Sequence, residues 1–290
     1  MFAKIDYDYF TVSAVTSIGQ PPVNAPAVKI TSVTNSSLEV QPGSLFVPLA
    51  DKRDGHDFIA DAFRRGAVAS FVRAGHPVIK TLPAVDRIRL ITVDDPLIAL
   101  GKLAAFHRRR FAPLVIAVTG SNGKTTTKEM LAQIFRAHLG RACIATEKNY
   151  NNHIGLPFTL FAIGTETRSA ILEMGMNHAG EISYLSQLAL PHLAVISSIG
   201  HAHIEFFRSR AGIAAAKSEI IDGMLPGGAL YVPKMIAELP TVAAATKRRK
   251  ILLHKINPAE KNSTALKIVS QSASGFQLAI GQERIFFPFA

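Results

Sequence analysis

The chain has 290 residues, 48% of them hydrophobic and 18% charged, and its 32 Lys and Arg against 21 Asp and Glu give a formal charge of +11. That composition can bury a core and excludes disordered, collagen-like and low-complexity fibrous chains. The length suits two domains, and the single cysteine, Cys143, excludes an internal disulfide and points to a reducing compartment. No apolar run reaches the roughly 18 residues of a membrane span. The acidic start MFAKIDYDYF lacks the basic flank and apolar stretch of a signal peptide. A cytoplasmic protein, monomeric and with no membrane span, is the expectation. The basic runs Arg108–Arg110 and Lys247–Lys250 carry no interleaved aromatics, so they read as solvated helix ends rather than as a nucleic-acid surface.

In chain order, Ala27–Val33, Ser44–Pro48, Ala67–Val72 and Leu90–Val93 read as short strands, with a helix over His56–Arg65 ending at Gly66. Asp94-Asp95-Pro96 is a helix start, a capping carboxylate followed by proline at the first helical position, and Leu97–Arg110 is the helix it opens. Strands then alternate with helices. Leu114–Val118 is followed by the helix Lys124–His138, closed by Gly140. Ala142–Ala145 and Ala170–Glu173 are strands, and Asn177 opens the helix His178–Leu190. Leu193–Ile199, the helix Ser209–Met224 and Ala229–Val232 follow. This alternation predicts a parallel sheet flanked by helices. After Ile251 the pattern turns to period two at Ala265–Val269, Phe276–Ile280 and Arg284–Phe287, which predicts an antiparallel appendage. The expected fold is α/β: a small mixed α/β domain over residues 1–94, then, with Gly120-Ser121-Asn122-Gly123-Lys124-Thr125 joining its first strand to its first helix, a parallel-sheet P-loop ATPase domain over 95–290, truncated at the C-terminus.

The strongest motif is Thr119-Gly120-Ser121-Asn122-Gly123-Lys124-Thr125-Thr126, set between a predicted strand and a predicted helix. Glycines let backbone amides converge on phosphate oxygens, and a helix N-terminus adds partial positive charge. Lys124 supplies a cation for the outer phosphates, and the Thr125 hydroxyl can ligate Mg²⁺. ATP with Mg²⁺ is therefore the expected ligand. Glu173 closes a predicted strand, where open α/β sheets place their crevices, and a carboxylate there suits a hard cation.

T-G-x-N-G-K-T-T resembles the ATP loop of the Mur ligases, which form amide bonds at the expense of ATP during peptidoglycan synthesis. Four further segments carry the same resemblance: Asn149–Pro157 (N-x-N-N-x-I-G-x-P), Glu173–Ile182 (E-M-G-x-N-x-x-G-E-I), Ile199–Phe207 (I-G-x-A-H-L-E-x-F, with Ile204 at the leucine position) and Ile213–Ile220 (I-A-x-A-K-x-E-I). With Asp54-Gly55-His56-Asp57-Phe58 upstream, they are most similar to the branch that adds D-alanyl-D-alanine to UDP-N-acetylmuramoyl-tripeptide. The resemblance implies those two substrates, an acyl-phosphate intermediate, and catalytic roles for Lys124, Glu173, His203 and Lys217. It further implies a Mg²⁺ set of Thr125, Glu173, His203 and Lys217, the lysine carbamylated by CO₂, and substrate contacts from Thr34, Ser36, Asn151 and Asn152. Read without the resemblance, Lys217 is a surface lysine, His203 a satisfied polar residue, and Asn151 and Asn152 are turn formers.

The chain departs from the family at three places, one of them after the strand ending at Val232, where Pro233-Lys234-Met235 stands in place of the family's usual Asn-x-Asp-[DN] turn. The loop that reads roughly [ST]-D-[ST]-R in the family is Thr34-Asn35-Ser36-Ser37 here, which removes a carboxylate and a bidentate guanidinium and puts the UDP-substrate contact in question. The family also continues past Phe287-Pro288-Phe289 into a C-terminal domain that closes over ATP. A truncated ligase is therefore expected, with a non-catalytic Mg-ATP or UDP-sugar binding module, a decayed copy, or a sibling ligase of other amino-acid or folate-polyglutamate specificity as alternatives.

Overall fold

The computed structural model describes residues 1–4, 10–11, 18–20, 29–50, 52–200, 207, 209–256, 267–272, 275–280 and 283–288. The first part of the chain supplies β1 (Phe2–Lys4), β2 (Phe10–Thr11), β3 (Lys29–Ile30), β4 (Ser32–Thr34), β5 (Ser44–Phe46), α1 (Ile59–Arg64), β6 (Ala69–Arg73), α2 (Val78–Thr81), α3 (Ala84–Arg87) and β7 (Leu90–Val93). They build a sheet of order β1-β4-β5-β6-β7, parallel except for β1, while β2 pairs with β3 separately.

Helix α4 (Pro96–Arg109) leads out of this sheet. Asp95 caps it, its carboxylate accepting from the N–H groups of Leu97 at 2.7 Å and Ile98 at 3.2 Å, so of the two aspartates the second is the cap. There follow β8 (Leu114–Thr119), α5 (Lys124–Leu139), β9 (Cys143–Ala145), α6 (Gly155–Phe161), β10 (Ser169–Glu173), α7 (Glu181–Ala189), β11 (Leu193–Ile196), α8 (Arg210–Ser218), β12 (Ala229–Pro233), α9 (Lys234–Ala237), α10 (Pro240–Arg249) and β13 (Leu252–Ile256). The six strands form one parallel sheet of order β13-β12-β11-β8-β10-β9. From β8 the chain runs outward to β9, returns to β10 and crosses to β11 on the other flank. The winding thus reverses at β8, and the crevice above its C-terminal end is where such sheets bind ligands.

The strand interiors alternate between two cores. Val115 and Ala117 of β8, Ala170 and Leu172 of β10, and Ala194 and Ile196 of β11 face one cluster, while Ile116, Val118 and Ile171 face another beneath α5. In the first sheet Leu45, Phe71 and Ile91 point to the same cluster as Val115, whereas Phe46, Val72 and Leu90 pack on α1. The layer α4, α6 and α7 therefore lies between the two sheets, and its Leu100, Leu103, Leu156 and Ile182, all fully buried, belong to a core that both sheets share. A buried aliphatic side chain contributes about 1.5–3 kcal/mol, so this common face ties the sheets firmly.

Several expectations change here. Leu252–Ile256, assigned to the period-two tail, is instead the sixth parallel strand, because its partner β12 leaves an open edge. The antiparallel appendage is present as β14 (Lys267–Ser272), β15 (Gly275–Ile280) and β16 (Glu283–Pro288). Helix α7 starts at Glu181 rather than His178: Gly180 takes a left-handed φ of +87°, and the Glu219 carboxylate accepts the Gly180 N–H at 2.9 Å, so the cap comes from a distant carboxylate instead of Asn177. Arg108 is not a solvated basic face. It is 4% exposed and donates to the carbonyls of Ala189 and Phe111, each at 2.9 Å, satisfying a helix end. Arg248 and Arg249 lie near Asp222 at 3.5 and 3.6 Å. No helix among the described residues is long and apolar enough to cross a membrane.

Candidate active site

The loop between β8 and α5 takes its shape from two glycines and two serines. Gly123 adopts φ +78°, and a Cβ on Gly120 would stand 2.0 Å from Ser197 Oγ. A side chain at Gly120 would therefore force the loop off the end of β11. Ser198 Oγ accepts the Asn122 N–H at 2.8 Å, Ser197 Oγ donates to the Asn122 carbonyl at 2.6 Å, and the Gly200 N–H donates to Ser121 Oγ at 2.9 Å. Helix α5 has no side-chain cap, so its first N–H groups point out of the loop with the positive end of the helix dipole. Lys124 Nζ folds back onto the Gly120 carbonyl at 2.8 Å, a neutral partner that an anion would outcompete. Thr125 and Thr126 are exposed at the helix start. Thr119 differs: its hydroxyl is buried and donates to the Met174 carbonyl at 2.8 Å, so it joins β8 to the end of β10 rather than facing a ligand.

Glu173, at the end of β10, is 2% exposed. Its Oε1 accepts from Asn151 Nδ2 at 2.7 Å, and its Oε2 is buried without a hydrogen-bond partner. A buried carboxylate oxygen with no donor costs free energy unless a cation or a water completes it. The residues present thus fit a divalent ion: one orphaned hard oxygen, with the Thr125 hydroxyl at the adjoining helix start.

Lys217, on α8, is 2% exposed, which corrects the surface reading. The helix turns its Ala-rich face, with Ile213, Ala214 and Ala216, into the core and carries the lysine with it. Burial, with the Lys124 ammonium second, pulls the Lys217 pKa down to about 8. As an ammonium it does not fit a cation site; as a neutral amine, or an anion derived from it, it does.

Lys124, Lys217, Asn151, Asn152 and Glu181 line one cavity of about 240 Å³. Two predicted residues also serve the fold there. Asn152 Oδ1 accepts the N–H groups of Ile154 and Gly155 at 3.1 and 2.8 Å, the turn-forming role, and Asn151 holds Glu173. Thr34 and Ser36 are not among that cavity's lining residues. The Thr34 hydroxyl is fully buried and donates to the Met1 carbonyl at 2.8 Å, closing the end of β4. His203 lies outside the described residues.

Sequence reasoning missed the bracing serines 197 and 198, whose only trace is a pair of hydroxyls directly after an apolar strand. It also gave His56 no role. Asp54, His56 and His76 offer three ligand atoms within 4.8 Å of one another, but the hydrogen bonds exclude a metal there. His56 Nε2 accepts the Arg73 N–H at 3.1 Å and His76 Nδ1 accepts the Val78 N–H at 3.2 Å, which fixes the other nitrogen of each ring as a donor to Asp54, at 2.6 and 3.0 Å. Neither neutral ring keeps a free lone pair. The stacked rings, 4.0 Å apart, clamp the segment at Asp54–His56 to the one at Arg73–Val78, and the His56 backbone N–H holds the Asp54 carboxyl well below its usual range.

The Mur ligase middle domain, as a sequence family, matches residues 118–288. The UDP-N-acetylmuramoyl-tripeptide–D-alanyl-D-alanine ligase of Bacillus subtilis is 39% identical over 265 residues, 89% of this chain and 54% of that protein. The ligase of the same name from Escherichia coli is 34% identical over 259 residues, 89% and 55% respectively. A crystal structure of MurF from Acinetobacter baumannii superposes with a TM-score of 0.80 at 32% identity, covering 98% of this chain and 61% of that one. A second, MurF ligase from Thermotoga maritima in complex with ADP, gives 0.70 at 28% identity over 88% and 57%. The chain spans about half the length of the curated relatives it matches.

Proposed function

The chain belongs to the Mur ligase family, and from that premise we propose that it is the nucleotide-binding and carboxylate-activating part of an ATP-dependent ligase joining D-alanyl-D-alanine to UDP-N-acetylmuramoyl-tripeptide. The observation that carries this reading is that Lys124, the first residue after the glycine loop, lines one cavity at the winding reversal of the sheet with Lys217 and with Asn151, whose amide holds the buried Glu173 carboxylate. Residues 1–94 are the UDP-substrate unit and residues 95–290 the ATP unit.

In this reading Lys124 leaves the Gly120 carbonyl for the β- and γ-phosphates, and the loop amides hold the same oxygens. Glu173 and the Thr125 hydroxyl hold Mg²⁺, which when bound neutralises phosphate charge during transfer. Two anions have to meet, the peptide carboxylate and the γ-phosphate, and the partly buried Lys124 ammonium lowers that barrier. The carboxylate oxygen attacks phosphorus as the bond to ADP breaks. The dipeptide amine then attacks the acyl carbon, and phosphate leaves with the bonding pair. Asn151 keeps the Glu173 carboxylate turned into the site, and Lys217 and, by the family resemblance, His203 would serve as further ligands to the ion.

Calorimetric titration of the chain with Mg-ATP tests the binding half of the proposal: Lys124→Ala is expected to abolish binding, and unchanged affinity would refute the loop's role. For the chemical half, phosphate release by the full-length ligase should require both the UDP-tripeptide and D-alanyl-D-alanine. ATP hydrolysis indifferent to both would refute the ligase assignment and favour a binding module.

A further inference from the structure

Lys128 lies one turn after Lys124 on α5 and is 1% exposed, a buried cation that no part of the proposed reaction uses. Its ammonium donates to the Thr146 carbonyl at 2.9 Å and pairs with the neighbouring Glu129 carboxylate, which is half exposed. Burying an ammonium is costly unless its geometry is well satisfied, so an apolar residue would fill this space at less cost. Thr146 is the residue next to β9, and its Oγ1 accepts the Glu173 backbone N–H at 3.0 Å, while its own N–H donates to the Ile171 carbonyl at 2.9 Å. The stretch that begins at Thr146 also carries Asn151, whose amide holds Glu173 Oε1. Both hydrogen bonds that orient Glu173 therefore come from one irregular segment, and that segment is tied by a side chain to the helix that opens with the phosphate-loop lysine.

Resting on the Mg-ATP reading above, we propose that Lys128 is a positioning residue: through Thr146 it fixes the Glu173 carboxylate relative to Lys124, so that metal and phosphate are held in register. Residues that hold metal ligands from behind act on metal affinity before they act on the rest of the site.

The test is calorimetric titration of the 290-residue chain with ATP, once in EDTA and once with saturating Mg²⁺, for wild type, Lys128→Met and Thr146→Val. The expected result is that the Mg²⁺-dependent gain in ATP affinity falls about tenfold in both variants while metal-free affinity stays within about twofold. An undiminished gain in the variants overturns the proposal and leaves the Mg-ATP reading intact. An equal fall in metal-free and metal-bound affinity also overturns it, since that is what loosening of the fold produces. Should Lys128→Met fail to fold, Thr146→Val decides alone, because it removes one hydroxyl and keeps the carbonyl that Lys128 holds. A wild-type chain that binds ATP with no gain from Mg²⁺ refutes the metal role of Glu173 itself, and this inference with it.

Discussion

Lys217 and His107 are two buried bases that their surroundings push toward neutrality, with different consequences. With its pKa near 8, Lys217 is neutral in about a tenth of molecules at pH 7 and in most of them at pH 9. Only the neutral amine attacks CO₂; a nitrogen–carbon bond forms, a proton leaves to solvent, and the cation becomes a carbamate anion able to face a metal. In ¹³CO₂-equilibrated protein the carbamate signal should grow from pH 7 to pH 9 and be missing in Lys217→Ala; an identical signal in that variant would remove the lysine from the metal set. His107 has no place in the proposed chemistry. It is fully buried, Nε2 lies 2.7 Å from the Ile163 carbonyl, and burial pushes its pKa down to about 4. A depressed folded-state pKa means the unfolded chain takes up the proton first. Stability is therefore full above pH 6.5 and falls as pH drops toward 4, by on the order of 3 kcal/mol. Urea melts at pH 7 and pH 4.5 should show that loss reduced in His107→Gln, which keeps a donor for Ile163 without titrating. The D-G-H-D-F segment had been legible as a motif but not as a clamp, because the partners at Arg73, His76 and Val78 come from outside it.

At the scale of elements, local chemistry and long-range contact divide the work. The cap at α4 is written in the sequence, Asp95 followed by Pro96, and Asp95→Ala should cost about 1 kcal/mol with no effect on nucleotide binding. The loop before α5 is different. Gly123 sits at φ +78°, where a side chain costs roughly 1–2 kcal/mol, and Gly120 has no room for one beside Ser197. Gly120→Ala should therefore weaken ATP binding far more than Asp95→Ala does while lowering the melting temperature comparably; equal ATP affinity in the two variants would contradict the loop geometry. Helix α7 shows the limit of local reading. Its start was placed at Asn177, a good capping residue, but Glu219 reaches it from 39 residues away. Strand β13 was misread for the same reason, since joining β12 depends on an open edge and not on its own pattern.

For the whole molecule the shared core decides how it melts. Leu100 of α4 is fully buried between two sheets that each have a private hydrophobic face as well. Leu100→Ala should cost about 2–5 kcal/mol and lower the unfolding of both sheets together, read as one calorimetric transition shifted downward. Two separated peaks, only one of them shifted, would mean that the sheets are energetically independent.

The parallel α/β class, the glycine loop between β8 and α5 and the family were open to reading from the sequence, because strand–helix alternation, a glycine turn and consecutive motif residues are properties of neighbours along the chain. The tertiary structure alone decided that Lys217 and Lys128 are buried, that Glu173 keeps one oxygen without a donor, and that Asp54, His56 and His76 satisfy one another. Burial and hydrogen-bond partnership depend on what distant segments bring to the same point, and a fold winding outward from β8 on both flanks assembles those segments only once its sheet is complete.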